Sequence, residues 1–162
     1  MYSVVIKYSP ITWDKRQSVT RMDYDLTAYK NEEYKQIAYE ANVAMDTEHS
    51  NLQVVRVQNI HDLGQCLIKQ QKLLVENPGQ AFYQGRRYIV ISQNYLNEAL
   101  EYNLDYRRCG LSQLKFNTKV SPINTNNVLV VVQTIIKNQD QDSIVPEYSD
   151  EFYIEYYVKL DV

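Results

Sequence analysis

Apolar residues along this chain recur with two periods, about two and about 3.6, and the switches between them outline the elements. Tyr2, Val4, Ile6 and Tyr8 alternate with Val5 and Lys7, which predicts a strand over Tyr2–Ser9 closed by Pro10. Residues Ser18–Tyr29 alternate again. Thr20, Met22, Tyr24, Leu26 and Ala28 face one way and Arg21, Asp23, Asp25 and Thr27 the other, as in a half-buried antiparallel strand. Between the two, the single tryptophan, Trp13, is expected to fold back over the core as a lid. Asn31 then offers an N-cap ahead of Glu32 and Glu33. Tyr34, Ile37, Ala38, Ala41 and Met45 follow at helical spacing, so residues 32–46 predict an amphipathic helix.

The second half continues in the same way. Leu52–Gln58 reads as a strand, and Asp62 caps a helix over 63–76 that Asn77-Pro78-Gly79 stops. Ala81–Ser92 predicts a hairpin turning at Gln84-Gly85, and Ser92 caps a third helix running through Leu100. Val128–Lys137 and Phe152–Leu160 are strands, joined by the acidic segment 138–151, while 104–126 is irregular. The order ββα-β-α-ββα-ββ predicts a single α+β domain over residues 1–162, with a mainly antiparallel sheet and about three helices. A chain of 162 residues can close such a core without disulfide or metal staples.

Composition narrows the setting. The longest apolar run, Val128–Val132, falls far short of the roughly 18 residues a membrane-spanning helix needs. The N-terminus lacks a signal peptide's basic start, and two cysteines form one bridge at most, so a reducing, cytoplasmic location is expected. Residues 1–139 carry 16 basic and 13 acidic side chains, whereas 140–162 carry 1 basic and 7 acidic. That balance argues against nucleic acid as the default partner, because phosphate contacts call for excess positive charge. Tyrosine outnumbers phenylalanine 15 to 3. Tyrosine suits half-buried faces and interfaces, where its ring is covered and its hydroxyl finds a partner.

Candidate chemistry is sparse. His49 and His61, with Asp46, Glu48 and Asp62, flank opposite ends of the 52–58 strand, which places them too far apart to share an ion. Cys66 lies on the apolar stripe of its helix. Cys109 follows Arg107 and Arg108, whose charges would favour a thiolate. Arg107-Arg108-Cys109-Gly110-Leu111-Ser112 resembles the acetyl-CoA pyrophosphate loop of the GNAT acetyltransferases, Arg/Gln-x-x-Gly-x-Gly/Ala. The resemblance covers six residues, has Ser112 where the family carries a smaller residue, and implies an acyl-CoA transferase whose loop amides bind phosphate ahead of a long helix. The following Lys115–Pro122 shows no helical period. Gly-rich nucleotide loops, a nucleophile elbow and a zinc-protease motif are all missing, and neither cofactor nor metal is expected.

Two binding readings remain. From Arg86 to Lys119, six cations (Arg86, Arg87, Arg107, Arg108, Lys115, Lys119) interleave with aromatic residues, the combination that holds single-stranded nucleic acid. In the last strand, Phe152, Ile154, Tyr156, Val158 and Leu160 predict a core face, leaving Tyr153, Glu155, Tyr157 and Lys159 on a surface suited to protein contact. The sequence is therefore read as a non-catalytic protein-binding or assembly module, self-associating or meeting another protein through Tyr153, Tyr157, Arg107 and Arg108. Nucleic-acid binding through 86–119 is the alternative and acyl-CoA transfer the third.

Overall fold

The computed structural model describes residues 2–17, 19–138 and 140–161. A short helix α1 (Tyr2–Val5) precedes β1 (Arg21–Asp25), α2 (Glu32–Met45), β2 (Leu52–Asn59), α3 (Ile60–Glu76) and β3 (Tyr83–Ser92). Helix α4 (Leu96–Glu101), β4 (Phe116–Asn117), β5 (Asn127–Ile136), β6 (Ser143–Ile144) and β7 (Phe152–Leu160) complete the chain. The strands form one sheet in the order β1-β2-β7-β5-β3-β4-β6, with every pairing antiparallel, and with the helices they make an α+β fold. The last strand to be made thus sits near the middle, between β2 and β5, and ties the two halves of the sheet together.

Both faces of the sheet are covered. On one, α2 packs Tyr34, Ile37, Ala41 and Met45 against Leu52, Val54, Leu129, Val131, Tyr156 and Val158. Asn31 caps that helix as the sequence predicts, its side chain accepting from the Tyr34 amide at 2.9 Å. On the other, α4 and the chain after it bring Leu96, Ala99, Leu100, Leu104 and Phe116 onto Ile89, Ile91, Val130 and Phe152. A third cluster joins Ile6 and Trp13 to Ile60, Leu63 and Cys66 of α3 and to Tyr153. Trp13 is 4 % exposed, a lid on the core as expected. No helix among the described residues is long and apolar enough to cross a membrane.

Three expectations are corrected. The N-terminal segment is α1 followed by a 3-10 turn over Ile6–Tyr8, not a strand. Val5 and Ile6, consecutive in sequence, both reach the α3 cluster, which a strand would send to opposite sides, and this packing overrides their β-propensity. Ala81–Ser92 is no hairpin: β3 runs unbroken for ten residues along β5. Gly85 serves close approach rather than a turn, since a Cβ there would lie 2.8 Å from Ile136 Cδ1. The strand read over Ser18–Tyr29 is only Arg21–Asp25, because Asp25 accepts from the Thr27 amide at 2.9 Å and turns the chain; Ser18 lies outside the described residues.

The alternation read along β7 is also broken. Val131 pairs with Tyr156, but Val132 pairs with Ile154, so Glu155 is an extra, bulged residue. Phe152 and Ile154 keep the α4 face, which Tyr157 also reaches, while Tyr156 and Val158 turn to α2 and Tyr153 to α3. The bulge directs the Glu155 carboxylate onto Arg86, Nε to Oε2 at 2.8 Å, and Arg86 also pairs with Glu40 of α2. Beside this group Glu33 of α2 binds Arg56 at 2.6 Å and accepts from the Tyr156 hydroxyl at 2.8 Å. Helix α2 is thus fixed to the sheet by two ion pairs as well as by its apolar stripe.

Candidate functional site

A surface cleft begins where α4 stops. Tyr102 donates its amide to the Glu98 carbonyl, and Leu104 donates to that of Ala99 at 2.9 Å. Between them the chain reverses through two consecutive left-handed residues, Asn103 (φ 47°) and Leu104 (φ 56°). For leucine that conformation costs roughly 1–2 kcal/mol. It is held because Leu104 is fully buried and because the Asn103 amide group donates to the Ser149 and Phe152 carbonyls, both at 3.0 Å. The turn is therefore fastened to the start of β7, forty-odd residues away in sequence.

Asp105 organises the adjoining loop. Its carboxylate caps the 3-10 turn Tyr106–Arg108 by accepting from the Arg107 amide at 3.1 Å. It also accepts from Arg107 Nε and Nη2, each at 2.9 Å, and lies 3.7 Å from Arg108 Nε. The hydrogen bonds from Arg107 hold the Asp105 carboxyl below the usual carboxylate range. Arg108 stacks over the Tyr102 ring at 3.9 Å, and Arg107 stands 6.0 Å from the Tyr106 centroid. Just beyond, Gly110 (φ 66°) lies under Tyr95, whose ring would be 3.0 Å from any Cβ placed there.

Across from this loop runs Val145–Ser149. Glu151 holds it, its carboxylate accepting from the Glu147 and Tyr148 amides at 2.7 and 2.9 Å. Lys69 of α3 sits 4.6 Å from the Tyr148 ring centroid. The two walls enclose a cleft of about 530 Å³ that Leu104, Leu114 and Phe152 help to line. Its rim presents Tyr102, Tyr106, Tyr148 and the two guanidinium groups, with the Arg107 and Arg108 side chains 74 % and 51 % exposed.

The four residues singled out in the sequence separate. Arg107 and Arg108 stand on the cleft. Tyr153 lies inside, 2 % exposed, edge-on to Trp13 at 6.4 Å, and burial raises its phenol pKa far above the ordinary value. Tyr157 is half-buried on the opposite face; burial, then Asp23 and Asp25, raise its phenol pKa. A shared Tyr153–Tyr157 surface is thus replaced by two sides of one sheet. Cys109 is corrected too. Its thiol is 2 % exposed and burial, then Asp105 and Glu98, push it up, because the neighbouring guanidinium groups point outward to Asp105 and Tyr102. Burial pushes the Cys66 thiol to about 12.

The basic stretch 86–119 is dispersed. Arg86 is held in its ion pairs, and Arg87, 7 % exposed, donates to the Arg86 and Gln141 carbonyls. Lys119 bonds the Val43 carbonyl at 2.7 Å. The pyrophosphate-loop resemblance lacks its helix, since the chain after Gly110 is irregular up to β4. His49 and His61 stand at opposite ends of β2, and among the described residues no cluster of three His, Cys, Asp or Glu is arranged to hold a metal. The sequence reading counted Tyr102 and Tyr106 among the aromatics of the 86–119 stretch and Glu147 in the acidic segment, but did not bring Val145, Glu147 and Tyr148 to the same site. Asp105-x-Arg107 carried a local signal, an aspartate able to bond the backbone two residues on. Nothing local ties Tyr148 to that loop. No protein-family model matches the chain, and no curated protein matches it in sequence.

Proposed function

We propose that this protein is a non-catalytic binding module that holds another protein in the cleft between Tyr106–Arg108 and Val145–Ser149. The observation that carries the reading is the rim itself: exposed tyrosines and arginines above a buried apolar floor, with both guanidinium groups already oriented by Asp105 and Tyr102. Tyrosine and arginine dominate the energetics of protein interfaces, and prior ordering of long side chains reduces the entropy lost on binding. The cleft is open, largely aromatic at its rim and backed by buried leucine and phenylalanine, as a contact surface for a protein segment requires.

The test is a photoreactive benzophenone amino acid placed at Tyr106, with the same group at Tyr39, 71 % exposed on α2, as control. Irradiation in cells should give a protein adduct from position 106, absent from position 39 and lost when Arg107 and Arg108 are both changed to Glu. Adducts of nucleic acid alone, or no difference between the two positions, would overturn the reading.

A further inference from the structure

Resting on that reading of the cleft, we infer that the occupant is a second copy of this chain, docked by a two-fold axis so that each copy's Val145–Tyr148 segment enters the other's cleft. The charges carry this step. One wall presents Arg107 and Arg108 and the facing wall presents the exposed Glu147, so a single patch holds both halves of an ion pair. A two-fold contact needs that arrangement, because residue i of one copy meets residue j of the other and the reverse holds equally. A polyanion fits the same patch poorly, since Asp105 already neutralises part of the basic wall and Glu147 would face the incoming charge.

The area agrees. Tyr102, Tyr106 and Tyr148 are 41, 41 and 55 % exposed. At ~200 Å² for a tyrosine, these three offer about 270 Å². The two arginines, Glu147 and Val145, itself 57 % exposed, bring the patch towards the ~800 Å² per partner of a standard stable interface. Its centre is aromatic and its edge charged, the order expected of a docking surface.

The experiment is sedimentation and light scattering of the purified full-length chain across the micromolar range, with two charge-reversed variants. Wild type should be a dimer. Arg107→Glu/Arg108→Glu and Glu147→Arg should each be weakened about 100-fold or more, because each homodimer would bring like charges together twice. An equimolar mixture of the two should recover a dimer containing one of each, since one contact regains the native Glu147 to Arg107 and Arg108 pair and the other is restored with its charges exchanged. Recovery also shows that the variants are folded. A wild-type monomer throughout, a dimer indifferent to the reversals, or a mixture that stays monomeric would overturn the inference. A photoadduct at Tyr106 of a mass other than two chains, with wild type monomeric, would leave the binding module standing and remove only the second copy.

Discussion

Arg86→Met tests whether the ion pairs under α2 hold the fold. The methionine keeps the apolar stem and removes the guanidinium from two carboxylates of unequal burial. The Glu155 side chain is 7 % exposed and takes Arg86 Nε and Nη2 at 2.8 and 3.4 Å; the Glu40 side chain is 30 % exposed and water can replace its partner. Stranding a buried charge costs about 3–5 kcal/mol, whereas a partly exposed pair is worth about 1 kcal/mol or less. Arg86→Met should therefore lose about 3–4 kcal/mol, most of it from Glu155, and Glu40→Gln under about 1 kcal/mol. Adding Glu155→Gln to Arg86→Met should restore about 2 kcal/mol, because a neutral amide in that site no longer demands a cation. Urea titration followed by Trp13 fluorescence reads all four proteins, since the tryptophan is buried and reports on the folded state. Equal, small losses for Arg86→Met and Glu40→Gln, with no recovery in the double variant, would refute the ranking by burial.

Two further predictions concern protonation. Both thiols should resist a thiol reagent at pH 8 and react at the free rate once urea unfolds the chain; burial raises each thiol's pKa and lowers its thiolate fraction, so fast labelling of native Cys109 would contradict its placement. Asp62 at the start of α3 has its carboxyl pushed above the ordinary 3.8 by burial, partly opposed by His61. Its folded pKa exceeds its unfolded one, so its ionisation subtracts stability as pH rises above 3.8, and Asp62→Asn should gain in stability over wild type from pH 4 to 7.

Much of the fold was legible because its signals are local. The N-cap at Asn31, the helical spacing of α2 and the apolar run of β5 needed no tertiary information. Strand β7 was placed correctly from its β-branched and aromatic content. The misread elements depended on partners distant in sequence. The α1 segment looks like a strand until α3 is there to receive Val5 and Ile6 together, and Gly85 looks like a turn until Ile136 lies across it. The cleft was hidden for the same reason: Asp105 and its arginines are a local cluster, but Tyr148 reaches them through Asn103, bonded to Ser149 and Phe152. Period-two alternation also predicts faces only while the register holds, and one bulged residue was enough to bury Tyr153 and leave Tyr157 half-exposed.

That bulge makes an unusual demand of the molecule. Removing one residue from the centre of a buried strand normally turns every side chain on one side of the cut to the wrong face, which a central strand does not survive. Here Ile154 and Tyr156 already point to opposite faces with Glu155 between them, and Val132 and Val131 oppose them in regular succession. Deleting Glu155 therefore closes the bulge and leaves the other β7 residues on their present faces. It also takes away the partner of Arg86, whose guanidinium would keep only the more exposed Glu40. The deletion alone should lose about 2–4 kcal/mol, and deletion combined with Arg86→Met should return to within about 2 kcal/mol of wild type, with the same sheet content by circular dichroism. If β7 instead alternated without a bulge, Tyr153 and Tyr157 would share a face, the deletion would invert half the strand, and the combined variant would not fold.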